Sequence, residues 1–180
     1  MVVLAAITLL RPVWLHELYT RANDLFAEGP LPLIADAGPT RDTRTNEVPE
    51  PGRPIGVLAI PRLGLSSVVI EGDEEAALLL GVGHLSDTPL PWANGNSVFA
   101  AHRDTFFRPL EHIRRNDVIR FSTKDADLEY HVRATTIVEA DDVGVLAPTS
   151  SSTLTLITCY PFTYVGPAPK RFIVTAERVS

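Results

Sequence analysis

Thr153-Leu154-Thr155-Leu156-Ile157-Thr158-Cys159, followed after the connection Tyr160–Lys170 by Arg171-Phe172-Ile173-Val174-Thr175-Ala176, is the stretch that decides the fold. Both runs are short and rich in β-branched residues, and Pro and Gly bound the connection, so they read as two strands of a hairpin. Alternate residues of a strand share a face. Leu154, Leu156 and Thr158 therefore lie on one side, and Thr155, Ile157 and Cys159 on the other. In the second strand Phe172, Val174 and Ala176 form the more apolar side and should face a core. With the leucine side of the first strand also inward, Cys159 and Arg171 share an outer wall at one end of the hairpin.

Working outward, further β-rich runs are Gly56–Ile60, Ser66–Ile70, Ser97–Ala101 and Val118–Ser122. Leu128, Tyr130, Val132 and Ala134 alternate with polar partners, as in a half-buried strand. Glu74–Leu80 and Thr105–Ile113 suit short helices. Seven or eight short strands with one or two small helices point to a mainly antiparallel β-barrel or sandwich. Asp36–Pro54 nearly lacks apolar residues and is dominated by Pro, Thr, Arg and Asp, so it reads as a linker. Before it, residues 1–35 read as a helical segment: Leu15, Leu18, Tyr19, Ala22, Leu25 and Phe26 have helical spacing. Met1–Leu10 carries no charge and ends at Arg11-Pro12. Ten helical residues span about 15 Å, half of a bilayer core. The run reads as the trailing part of a membrane anchor, with Trp14 and Tyr19 suited to the interface, or as the apolar first turn of an ordinary helix. The expected organisation is thus an anchor-like segment over 1–35, a linker over 36–54 and a compact barrel over 55–180.

Charge and cysteine content narrow the chemistry. Sixteen Lys and Arg against 22 Asp and Glu give a net charge of −6, which excludes nucleic-acid binding through a broad basic face. One cysteine excludes an internal disulfide and any multi-cysteine metal site. A lone thiol is either a small core residue or a nucleophile, and a nucleophile needs a base or cation to raise its thiolate fraction. Of the five histidines, His16 falls in the N-terminal helix, His84 follows a Gly-Val-Gly loop, His112 reads as a surface position and His131 lies on the polar face of a strand. His102 ends an apolar strand and opens the polar segment Arg103-Asp104-Thr105, where strand-end side chains are commonly put to catalytic use.

Three segments carry a resemblance: Leu156-Ile157-Thr158-Cys159 followed by Tyr160-Pro161-Phe162, Ala101-His102-Arg103-Asp104-Thr105-Phe106-Phe107, and Lys170-Arg171-Phe172-Ile173-Val174. They are similar to the active-site segments of sortases, cysteine transpeptidases of bacterial surfaces. The spacing His102 to Cys159, with Arg171 twelve residues later, fits that family. The likeness covers most of 55–180, including Gly56-Val57-Leu58-Ala59-Ile60-Pro61. Cys159-Tyr160-Pro161-Phe162 with Tyr164-Val165-Gly166-Pro167-Ala168-Pro169-Lys170-Arg171 resembles class D, especially its Gram-negative branch. The resemblance implies a closed eight-stranded β-barrel behind an N-terminal membrane helix, with the barrel outside the cytoplasmic membrane. It implies Cys159 as nucleophile, His102 as general acid/base and Arg171 as third member. It also implies cleavage of a Leu-Pro-x-Thr-Gly/Ala sorting signal after Thr and transfer to an amine. The partners are then secreted proteins with C-terminal sorting signals, an amine acceptor and the membrane, with no cofactor.

Several side expectations accompany that resemblance. Many sortases have Gly before the catalytic His, where this chain has Ala101. Some bind calcium through acidic residues before the His. Here Leu85–Val98 holds only Asp87, so no metal site is expected. Glu71-Gly72-Asp73-Glu74-Glu75 reads as a solvated loop. Asp104 can cap the helix that follows or orient the imidazole, the cap being favoured. Thr158 should buttress the site from within, and Trp92 and Phe162 are candidates to line a peptide groove, although core packing is the commoner fate of such residues. An L,D-transpeptidase is the rival enzyme, disfavoured because Ile157 stands where those enzymes place a His. A non-catalytic peptide-binding barrel is the other alternative.

Overall fold

The computed structural model describes residues 49–179, and the anchor-like segment and most of the linker lie outside them. Eight strands close a barrel in the order β1-β2-β3-β4-β7-β8-β6-β5. They are β1 (Pro54–Ile60), β2 (Leu65–Glu71), β3 (Val82–His84), β4 (Asn96–Ala100), β5 (Val118–Ser122), β6 (Asp127–Glu139), β7 (Thr153–Tyr160) and β8 (Lys170–Arg178). Six of the eight pairings are antiparallel; β2 with β3 and β4 with β7 are parallel. Barrel strands alternate inward and outward, so period-2 apolar residues from every strand meet inside. Leu58, Val69, Val82, Phe99, Phe121, Val132, Leu154, Leu156, Val174 and Ala176 are buried in one core.

The barrel closes where β1 meets β5, and Gly56 permits that approach. A Cβ there would stand 2.5 Å from the Phe121 ring and 2.7 Å from the Ser122 carbonyl. Closure is reinforced beside the seam. Arg62, in the 3-10 turn Pro61–Leu63, donates from Nε and Nη2 to both oxygens of Asp117. The short helix α1 (Glu75–Leu80) lays Ala77 over Val68 and Ile70 on the outer face of β2, forming a small second cluster.

Several sequence expectations change here. Pro54 begins β1, and Gly52 N–H already donates to the Glu71 carbonyl, so the last residues assigned to the linker belong to the barrel edge. The expected helix over 105–113 contracts to a 3-10 turn at Arg108–His112, with Pro109 at its start. Strand β6 reaches Glu139, but a bulge between Val132 and Ala134 breaks the alternation, leaving Ala134 exposed rather than inward. The strand Val82–His84 was not expected: three residues are too few to show a period. Glu71 is no solvated loop residue. It pairs with His84 and lies inside the barrel, where His84 Nδ1 is 2.7 Å from Glu71 Oε2, and both side chains are 1% exposed.

Candidate active site

Strand register assembles the site. Pairing of β7 with β8 sets Cys159 directly opposite Arg171, Thr158 opposite Phe172 and Ile157 opposite Ile173. Directly opposed residues of an antiparallel pair share a face with Cβ atoms about 4.5–5.5 Å apart. Leu154, Leu156, Val174 and Ala176 are fully buried in the core, so Cys159 and Arg171 occupy the outer wall. Both are partly exposed, the accessibility a nucleophile and a substrate-facing cation require.

His102 reaches the same end of the barrel from the other side of β7. Strand β4 runs parallel to β7 with Ala100 opposite Ile157, and Ala101 N–H donates to the Ile157 carbonyl at 3.2 Å. Inward-facing Thr158 donates from Oγ1 to the Ala101 carbonyl at 2.8 Å, while only 2% of the threonine is exposed. That bond ties the residue before Cys159 to the residue before His102. His102 follows directly, two residues past the last β4–β7 pair, and its carbonyl accepts the N–H groups of Thr105 and Phe107 as the chain turns away. Ala101 is not in the left-handed backbone region that only glycine adopts freely, so its Cβ brings no backbone strain. It packs in the core at 6% exposure.

The Arg171 guanidinium makes no ion pair among the described residues. Its Nη1 donates to the carbonyls of Ala168 and Lys170 at 3.2 and 3.0 Å. The cation is thus held by neutral backbone acceptors. Beneath this row the outer wall is apolar: Ile173 is buried, and Ala100 and Ile157 are half-buried.

Other expected site residues lie elsewhere. Trp92 is 40% exposed and tilts against Phe121 with ring centroids 6.5 Å apart. Its neighbour Pro91 accepts the Tyr130 hydroxyl at 2.8 Å, and Tyr130 pairs with Arg178. From Arg171 to Arg178, β8 spans about 23 Å at a rise of about 3.3 Å per residue, which puts Trp92 near the end of the barrel remote from Cys159. Phe162 is a core residue, 6% exposed, packed edge-on against Tyr160 and Phe172. Aromatic surface of that size is better satisfied against its neighbours than in water. The Asp104 carboxylate is 72% exposed and accepts from Arg103 Nε at 3.2 Å. It does not cap the 3-10 turn, whose N-terminal residue is Phe107 with no side-chain cap.

Arg103 is what the sequence reading missed. It is the one buried arginine among the described residues and reaches from the His102 segment to the connection after Cys159. The only signal in the sequence was an arginine directly following a strand-end histidine, and the neighbouring Asp104 made it look like a surface ion pair. Among the described residues no three His, Cys, Asp or Glu side chains gather as metal ligands.

Comparisons with known proteins agree with this geometry. The sortase domain profile matches residues 58–179. Sortase D of Bacillus subtilis (strain 168) is 38% identical over 133 residues, covering 73% of this chain and 67% of that protein. A Clostridium perfringens Sortase D5 transpeptidase shares the fold with a TM-score of 0.67 and 26% identity, covering 73% of this chain and 82% of that one. Sortase C-1 of Actinomyces oris gives a TM-score of 0.66 and 31% identity over 71% of this chain and 75% of that one. These matches displace the L,D-transpeptidase alternative. Barrel topology, the Cys159–Arg171 register pair and a sortase profile over residues 58–179 converge: the chain belongs to the sortase family of cysteine transpeptidases.

Proposed function

We propose that the protein cleaves a Leu-Pro-x-Thr-Gly/Ala sorting signal after Thr and transfers the acyl part to an amine, with Cys159, His102 and Arg171 as the catalytic residues. Cys159 Sγ attacks the Thr carbonyl carbon while the thiol proton passes to the His102 imidazole. The tetrahedral oxyanion draws support from the Arg171 guanidinium. As the C–N bond breaks, the imidazolium gives its proton to the departing amine, leaving a thioester on Sγ. An incoming amine attacks the thioester, its proton goes to His102, and the Cys159 thiolate leaves and takes that proton back, restoring thiol and neutral imidazole. The observation that carries this reading is the register pairing of Cys159 with Arg171 on the outer wall, with the His102 segment bonded to the same strand. The apolar strip of Ala100, Ile157 and Ile173 is then the floor for the Leu-Pro part of the signal, in place of Trp92 and Phe162.

Class D is the proposed subfamily, supported by the Sortase D relative. The finer expectation of a Gram-negative branch rests on the connection sequence alone, and that relative comes from Bacillus subtilis. Substrates are proposed to be secreted proteins bearing a C-terminal sorting signal. The barrel (55–180) is proposed to work outside the cytoplasmic membrane, held by the segment 1–35 through the linker 36–54. No helix among the described residues is long and apolar enough to cross a membrane, and that segment lies outside them. The test is incubation with a Leu-Pro-x-Thr-x peptide library and a small amine, followed by mass spectrometry. Ligated products joined at Thr support the reading; no cleavage of any member contradicts it.

A further inference from the structure

The connection between β7 and β8 carries Cys159 into Arg171, and arginine side chains gather its carbonyl oxygens. Arg103 donates from Nη1 to the Pro161 carbonyl at 3.2 Å, and from Nη2 to those of Tyr164 at 2.6 Å and Gly166 at 3.2 Å. Its guanidinium carbon lies 5.9 Å from the centre of the Tyr164 ring. Arg108 donates to the Phe162 carbonyl at 2.6 Å. Arg171 takes the Ala168 carbonyl. Every second residue from 162 to 168 thus gives its carbonyl to an arginine.

Arg103 is 6% exposed, and burying a guanidinium is costly unless its N–H groups are satisfied. Among the described residues its only carboxylate partner is the solvent-exposed Asp104, and the other acceptors are neutral backbone oxygens of one loop. Simple charge pairing on the surface does not need that burial. We propose that Arg103 is a positioning residue: its fork fixes the β7–β8 connection against the His102 segment and so sets the spacing of His102, Cys159 and Arg171. The proposal rests on the catalytic roles given above. A lysine at 103 keeps the charge but not the planar fork that spans three carbonyls, so it does not substitute.

The test compares the wild-type chain with Arg103→Lys and with Tyr130→Phe, a control that loses a buried hydrogen bond near the far end of the barrel. Peptide-transfer kinetics and the pH profile of Cys159 alkylation by iodoacetamide are read alongside urea unfolding. Arg103→Lys is expected to lower kcat at least about tenfold with KM changed less than about threefold. The pH profile of its alkylation should differ from that of the wild-type chain, because the cysteine's surroundings are repositioned. Tyr130→Phe should lose stability and leave kcat and the alkylation profile unchanged. Arg108→Lys, at an exposed position where substitutions usually cost little stability, should show a smaller loss of kcat and secures the test if Arg103→Lys does not fold. Turnover within about twofold of wild type in every folded arginine variant, or an alkylation profile that stays in place, overturns the proposal. A wild-type chain that transfers no peptide defeats the transpeptidase reading instead, while the alkylation profile, which needs no peptide, still decides the role of Arg103.

Discussion

Replacing Thr158 with valine tests whether the bond between β7 and the His102 segment matters to both stability and chemistry. Valine matches threonine in shape and keeps the β-branched side chain that a strand favours. What disappears is the Oγ1 bond to the Ala101 carbonyl, 2.8 Å long and buried. Leaving a buried acceptor without that partner costs about 1–3 kcal/mol. With a urea m-value of about 2 kcal/mol/M, the unfolding midpoint should fall by roughly 1 M without a change in m. Thr158→Ser is the informative companion. It loses a buried methyl, which costs about 1 kcal/mol, but keeps the hydroxyl. The two variants should therefore be similarly destabilised and differ in turnover. Serine should keep kcat near wild type, whereas valine should lose at least about tenfold, since misplacement of a catalytic group by about 1 Å can cost about a hundredfold. A valine variant as stable as wild type, or equal kcat in the two variants, refutes the reasoning.

Other outcomes follow from the same geometry. Cys159→Ala should abolish transfer and iodoacetamide labelling while the circular dichroism spectrum is retained, because the chain holds no second thiol. Arg171→Ala should keep an alkylatable thiol but lower kcat by about 10²–10³, the scale for removing one oxyanion donor. The bidentate bond from Arg62 holds the Asp117 carboxyl below its ordinary value, helped by the Arg114 N–H against the opposing effect of burial. A folded-state value below the unfolded one stabilises the barrel above about pH 4. Urea midpoints should therefore fall as pH drops below that value, and Asp117→Asn should flatten the dependence. Burial pushes the Tyr130 phenol up to about 12. The stability this represents is whole below about pH 10 and is lost as pH rises from there through the folded value. Tyr130→Phe should remove that alkaline loss in equilibrium unfolding.

The hairpin was legible in the sequence because both its strands keep period 2 without a break. That parity alone put Cys159 and Arg171 on one wall, and the register now pairs them residue for residue. Strand β6 keeps its period over only part of its length. Its alternation holds through Val132 and fails at Ala134, because a bulge adds a residue and changes which side chains face in. Strand β3 escaped because three residues carry no measurable period, and with it went the buried Glu71–His84 pair, which depends on strands β2 and β3 meeting. The helix expected over 105–113 lost out to Pro109 and tight 3-10 geometry. Trp92 and Phe162 were offered for a groove by residue type, yet type says neither which end of the barrel the Trp92 loop occupies nor that Phe162 turns inward against Tyr160 and Phe172. Arg103 was hidden for the opposite reason: its acceptors are backbone carbonyls 58 to 63 positions away, and backbone acceptors leave no mark in a sequence.

The most direct test of the central claim is intact-protein mass spectrometry of the chain mixed with an excess of a Leu-Pro-x-Thr-Gly peptide and quenched in acid before amine is added. A mass increase equal to the acyl part through Thr, reversed by hydroxylamine and mapped by digestion to Cys159, is the expected result. Undiminished amine transfer by the Cys159→Ala chain, or an acyl group mapped to any other residue, would contradict it.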